Sequence, residues 1–488
     1  MTDLYPPLPD GQVQWVEPPR RGRHKTIALL VAGLLLVGSA VAFGVWWMQR
    51  GPDYPDAWDS RVVPYVEVVE KQRGLEFEHP VHVDFLTDEE FDQEVTSDDS
   101  ELTDEDREEI RQTEAMMRAL GLLDADVDLL KASNDLAAGG VIGLYDYEDK
   151  RIRMRGTELT PAVRSTLVHE LTHVLQDQHF DLEEKSEEHE ADDDSSAAAM
   201  WQAIVEGDAS RVEDDWARTL PAAERKALAR EQAKESRQAR KDLAKVPAFL
   251  TTLTSSPYVM GDALLALAIQ LDGKGAVDSL FTSPPTSEEG LVDPWIAVAD
   301  RQAAWPVDEP DVPEGAKEFD SGTFGSPSWL YVLAERIPPK VALTAADGWG
   351  GDAYVAYEQA GRTCVRIDYV GDSRRDVTEL RGALRAWVAG SPRGTSKVTQ
   401  QGTGLRLESC DPGKRARRGT GGSEDALQLA LTRAQVAVQV LPTAGLQKSF
   451  VRCYADAAVH ELSLAELAAD KAPPGLQARL ERLARGCA

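Results

Sequence analysis

Residues 160–180 read TPAVRSTLVHELTHVLQDQHF, and everything else about the chain is best read outward from them. Thr160 can cap a helix, and Pro161 suits a first helical position, where its missing N–H costs nothing. Within that helix stands His169-Glu170-Leu171-Thr172-His173. Residues four apart share one helix face, so both imidazoles address one point. Two neutral imidazole nitrogens suit Zn2+, which takes nitrogen or sulfur ligands in about four positions. Glu170, next to His169, can take a proton from a water acidified by the metal and return it to a leaving amine. Predicted strands at Val141–Tyr147 and Arg151–Arg155 precede the helix, with a turn at Glu148–Lys150.

A third ligand is open between two patterns. His179 follows His173 by six residues, the spacing in HExxHxxGxxH, whose glycine turns the chain sharply. Gln176 stands at that glycine position and favours continued helix, which carries His179 about 280° around the axis from His169 and away from the metal. The other candidate is Glu206, on a predicted helix Ser195–Thr219, within Val205-Glu206-Gly207-Asp208-Ala209. There Gly207 permits close helix packing, and Asp208 can hold a histidine from behind. Glu190 and the aspartates of the acidic stretch Asp181–Asp194 are further alternatives. That stretch lacks the regular spacing of a calcium loop and reads as a solvated loop. Tyr258 is a candidate oxyanion donor or a packed tyrosine.

Upstream, Thr26–Met48 carries no charge and is long enough to span the ~30 Å hydrocarbon core. Arg20, Arg21, Arg23 and Lys25 precede it, so the expected arrangement is a single-pass membrane anchor, with residues 1–25 cytoplasmic and the bulk outside. The rival is a cleaved signal peptide ending near Ala40-Val41-Ala42. Residues 49–60 read as a linker, with helices predicted at Val62–Lys71 and Glu101–Leu123 and a strand at Pro80–Leu86. Downstream come a charged helix at Pro221–Lys245 and an apolar one from Met260 to Leu271. Residues 305–319, rich in proline and acid, read as a linker between a unit at 61–304 and one at 320–488. The second unit holds Cys364, Cys410, Cys453 and Cys487, for which local pairing favours Cys364–Cys410 and Cys453–Cys487 in an oxidising compartment.

The chain has 488 residues, 42% hydrophobic and 28% charged, with a formal charge of −30. That balance suits a folded protein and disfavours binding to nucleic acid phosphates.

HELTHVLQDQHFDL (169–182) followed by IVEGDA (204–209) resembles a group of bacterial membrane-anchored or exported zinc metallopeptidases of gluzincin type. Ser256-Pro257-Tyr258 with Gly261, Pro284-Pro285-Thr286-Ser287-Glu288 and Gly348-Trp349-Gly350-Gly351-Asp352 look similar too. The segment Gly290–Pro294 departs from the pattern by lacking a histidine. The resemblance implies a zincin-like domain, expected to be α+β and mainly helical with a small sheet; beyond residue 319, alternating helices and strands, including CVRIDYV (364–370) and GLRLESC (404–410), suggest an α/β or α+β unit. The resemblance also implies His169, His173 and Glu206 on the metal and Glu170 as catalytic carboxylate; it supplies no substrate, and a peptide or protein substrate is the expectation from the chemistry of the zinc site itself. Two other expectations compete. One is a catalytically silent binding or scaffold protein of the cell envelope that keeps the fold. The other is a cell-wall peptide hydrolase.

Overall fold

The computed structural model describes residues 53–98, 100, 102–191, 195–443, 445–467 and 474–488. The expected tail and anchor, residues 1–48, lie outside the described residues. Among those described, no helix is long and apolar enough to cross a membrane.

The chain is α+β. Its first part builds a small sheet under helices: α1 (Val63–Arg73), β1 (His82–Leu86), α2 (Asp88–Val95), α3 (Asp104–Ala119), α4 (Leu129–Gly140), β2 (Gly143–Asp146) and β3 (Arg151–Arg155). The strand order is β1-β3-β2, with β1 parallel and β2 antiparallel to β3, so β2 is an edge strand. Next comes α5 (Pro161–Phe180), which begins where its residues dictate: the Thr160 side chain accepts from Val163 N, with Pro161 in the first turn. From Leu167 to Asp177 every residue of α5 is buried. A helix enclosed on all sides must place its polar groups against partners.

α5 ends at Asp181, whose left-handed backbone (φ 53°) breaks the hydrogen-bond ladder. Beyond it the expected acidic loop is instead a helix, α6 (Leu182–Ala191). Leu182 N donates to Asp177 Oδ1, and the buried Leu182 side chain anchors the new helix on the core. Charge did not forbid helix here because Glu and Lys are good helix formers once one apolar residue docks.

The following helices are α7 (Ser195–Thr219), α8 (Ala222–Asp242), α9 (Ala248–Asp272), α10 (Ala276–Thr282) and α11 (Glu289–Val292). α9 starts well before the expected Met260, running straight through Pro257. Pro257 cannot donate to Leu253 O, but Ser256 Oγ does, 2.9 Å away. α7 and α9 touch backbone to backbone: a Cβ on Gly261 would lie 1.7 Å from Ala203 O, and one on Gly207 would lie 2.3 Å from Gly261 C.

The remainder comprises β4 (Lys317–Gly322), α12 (Ser326–Ala334), α13 (Pro339–Ala346), β5 (Trp349–Gln359), β6 (Arg362–Gly371), α14 (Arg374–Gly390), β7 (Ser396–Gln401), β8 (Gly404–Cys410), α15 (Ser423–Val440), α16 (Lys448–Glu461), α17 (Leu464–Leu467) and α18 (Leu476–Cys487). Its five strands form one antiparallel sheet ordered β4-β5-β6-β8-β7, which makes this part α+β. Disulfides join Cys364 to Cys410 across the paired strands β6 and β8, and Cys453 to Cys487 between α16 and α18, both as expected from local pairing.

One hydrophobic core runs across residues 305–319. It joins Met116, Trp201 and Leu264 to Trp329, Tyr369 and Trp387. The stretch expected as a linker lies along this shared core, where Trp305 N donates to Gly350 O at 2.6 Å. A second cluster, including Val66, Ile152, Leu167, Leu171 and Trp216, packs α1 and the small sheet onto α5 and α7.

Candidate metal centre

α5 brings His169 and His173 to one face, and α7 delivers Glu206 opposite them. His169 Nε2 lies 3.1 Å from His173 Nε2, and Glu206 Oε2 lies 3.3 Å from the first and 3.4 Å from the second. Both histidines are buried.

The far nitrogen of each ring sets its proton. Gln176 Nε2 donates to Val205 O and Asp208 Oδ2, so its Oε1 faces His173 Nδ1, 3.0 Å away. His173 therefore carries its proton on Nδ1. His169 Nδ1 faces Glu213 Oε2 at 3.4 Å, and Ser165 Oγ donates to the other oxygen of Glu213. Both Nε2 lone pairs are thus turned toward each other and toward a carboxylate, an arrangement that asks for a cation between them. Bonds of ~2.0–2.1 Å in a tetrahedron put ligand atoms about 3.3 Å apart, and the three separations here match that. The residues present fit zinc.

With no metal bound, the same surroundings favour positive charge at this point in the form of a proton on His169. Burial opposes charge on His169, but Glu206, Glu213 and Glu170 outweigh it and hold its pKa well above the ordinary histidine range. Burial also opposes the Glu206 carboxylate, yet the two histidines pull its pKa down to about 2. At Glu170 burial wins over the histidines, and the pKa is raised. The Tyr145 backbone N–H is hydrogen-bonded to the Glu170 side chain. β2 comes this close because Gly143 has no side chain: a Cβ there would lie 3.0 Å from Glu170 Cγ and 2.6 Å from Thr166 Cγ2.

Of the other residues singled out in the sequence, Tyr258 joins the site. Its ring stacks over His169 at 5.9 Å between centroids, and its hydroxyl is hydrogen-bonded to Glu206. The negative charge of Glu206, with burial and Glu170, pushes its pKa well up and keeps the phenol neutral. Asp208 reaches His173 only through Gln176, and is itself held by Arg73 Nε at 2.7 Å and Arg211 Nη2 at 2.7 Å. His179 lies outside the cluster and faces Glu76 O at 2.8 Å, because α5 continues past it. The Glu190 side chain and residues 192–194 lie outside the described residues.

Residues missed from sequence are Gln176, Glu213, Arg73 and Tyr147. Tyr147 is pushed well up by burial and by the charges of Glu206 and Glu170, which places it beside them. Glu213 stands seven residues after Glu206 on α7, so the same face presents both, and that spacing was legible. Arg73 arrives from α1 and carried no signal.

A cavity of about 490 Å³ opens beside the cluster, lined by Glu213, Tyr258, Asp262 and, from α15, Leu431 and Gln435.

A family model described as a domain of unknown function (DUF8575) matches residues 314–445, under half of the chain and apart from the His169–Glu206 cluster. No curated protein and no solved structure matches the chain.

Proposed function

We propose that the chain is a zinc-dependent peptidase of zincin-like fold, with His169, His173 and Glu206 holding the metal. The observation that carries this is the convergence of two imidazole lone pairs and a carboxylate at tetrahedral spacing, with the Glu170 carboxyl beside them. Zinc bound there would supply a Lewis acid that polarises a carbonyl and lowers the pKa of water.

The chain's own residues do the rest. Glu170 takes the proton of the attacking water and hands it to the leaving nitrogen; burial raises its proton affinity toward what that exchange needs. Tyr258, held neutral, can offer its hydroxyl to negative charge developing on the carbonyl oxygen. Among the described residues strand β2 is an edge strand, and its edge faces Glu170, which Tyr145 N–H meets. An extended peptide added to the edge would run along the site, which supports a peptide substrate. The two disulfides support an exported location, in keeping with an anchor at residues 26–48 and a catalytic part outside the cell.

The test is zinc per chain in the full protein, with peptide cleavage, for wild type, Glu170→Gln and Glu206→Ala. Expected are one zinc in wild type and in Glu170→Gln, loss of zinc in Glu206→Ala, and cleavage only by wild type. Bound zinc with equal background cleavage by wild type and Glu170→Gln would overturn the peptidase in favour of a scaffold. No zinc in wild type would remove both. A panel of casein and cell-wall peptides sorts the substrate.

A further inference from the structure

Charge is unevenly spread along the chain. Residues 361–420 hold thirteen Lys and Arg against six Asp and Glu, in a chain whose formal charge is −30. Much of this excess gathers where β6 begins and β8 ends, and where the chain leaves the sheet through Lys414-Arg415-Ala416-Arg417-Arg418. That turn is firmly held. Ala416 is fully buried, its N–H donates to Gly413 O at 2.8 Å, and Thr420 N donates to Glu335 O at 2.5 Å. With Ala416 turned inward, Lys414, Arg415 and Arg417 stand in solvent. Two more exposed groups flank them. Arg362 Nη2 lies 3.5 Å from Asp411 O, and Arg393 precedes by two residues Thr395, whose carbonyl takes Cys410 N. Among the described residues no carboxylate pairs with any of these five. The acids beside them are engaged, Asp411 by Arg118 and Asp124 by Arg418.

Arg336 is a second, independent sign. A Cβ on Gly121, whose carbonyl takes Gly419 N, would lie 2.3 Å from Arg336 Nη2, so this guanidinium sits beside the basic turn. It stacks over Trp387 at 4.4 Å and donates to Ser391 Oγ. No carboxylate pairs with it among the described residues. The adjacent Glu335 turns instead to Gly421 N, 3.1 Å away, just ahead of α15. Burial lowers the Arg336 pKa to about 10, against the pull of Glu335. A guanidinium drawn partly out of water without a counter-charge is costly, and negative charge brought to this end of the molecule relieves that cost.

We propose that this end of the molecule docks on a membrane surface of anionic phosphate headgroups. Neither the cavity beside the metal cluster nor a second one, of about 540 Å³ with Glu289, Asp372 and Asp376 in its wall, is lined by these basic groups. They enclose no single small anion, and exposed basic groups on an outward turn suit an extended sheet of charge. The rest of the chain is the more acidic for this excess, so a negative surface turns the molecule with this end toward it. The bilayer is also the polyanion within reach. Tyr54 and Trp58 already pack on His79 and Phe77, so only residues 49–53 separate the fold from the anchor expected at residues 26–48. Extended, they span about 18 Å. That reach rests on the anchored placement proposed above; the metal centre plays no part in it.

The experiment places the full chain in phosphatidylcholine nanodiscs, with or without phosphatidylglycerol, and follows acetylation of Lys414 by mass spectrometry. Lys274, exposed between α9 and α10, is the reference. Expected is Lys414 labelling about tenfold slower on anionic than on neutral discs, with the difference erased at about 0.5 M salt. The combined variant Arg393→Gln, Arg415→Gln, Arg417→Gln changes only exposed side chains. It should weaken the contact about a hundredfold, each basic group contributing about fivefold, and so restore the labelling. Failure of neutral discs to retain the chain would refute the anchor alone, because Lys414 on anionic discs still reports the docking. Equal labelling on both discs, or protection that survives salt or the combined variant, would overturn the proposal. So would soluble polyphosphate that protects Lys414 on neutral discs as strongly as anionic discs do, in favour of a free phosphate polymer.

Discussion

At the scale of residues, the metal centre depends on a side chain that touches no metal. Gln176 joins the His173 ring to Asp208, and Asp208 is clamped by Arg73 and Arg211. Gln176→Ala would leave His173 Nδ1 and Asp208 Oδ2 buried without that partner while His169, His173 and Glu206 stay in place. Zinc affinity should fall ~10–100-fold, as removal of ligand-orienting partners does elsewhere. A competitive chelator titration measures it, and an unchanged affinity would mean that Gln176 does not orient His173. The histidine pair and Glu170 were legible because four residues make one helical turn. Gln176 was legible only as a helix former, since its role needs Asp208 from a different helix.

At the scale of elements, helix termini and helix contacts differ in how local they are. The Thr160 cap, the Pro161 start and the bounds Ser195–Thr219 follow from residues adjacent in the chain, and the structure has them. α9 was read too short because Pro257 normally ends a helix; Ser256 serves the freed carbonyl, and packing on α7 carries the helix through. The α7–α9 contact delivers Glu206 to the histidines, and it has no room for a methyl group. Gly261→Ala should force the two helices apart and destabilise the fold by about 1–3 kcal/mol, read as a lower denaturant midpoint. An unshifted midpoint would show that the helices do not meet so closely.

For the molecule as a whole, stability should carry the mark of Glu289. Its pKa is raised from 4.5 to about 9 in the fold, so the folded state holds a proton that the unfolded state has lost. The resulting stabilisation is complete below pH ~4.5 and drains away as pH rises toward 9, at up to about 1.4 kcal/mol per pH unit. Glu289→Gln should flatten the decline in unfolding free energy between pH 5 and 9; parallel curves for wild type and variant would refute the buried acid. By itself the sequence determined the HExxH helix, the two cysteine pairs, the α+β character and most element bounds. Each of these rests on capping, periodicity or near neighbours in the chain. Only the tertiary structure decided that one core spans residues 305–319, that Arg73 and Gln176 stand behind His173, and that Glu289 is buried in the wall of a cavity shared with Asp372 and Asp376. Those depend on long-range packing, where residues far apart in sequence share a buried space whose shape no local pattern encodes.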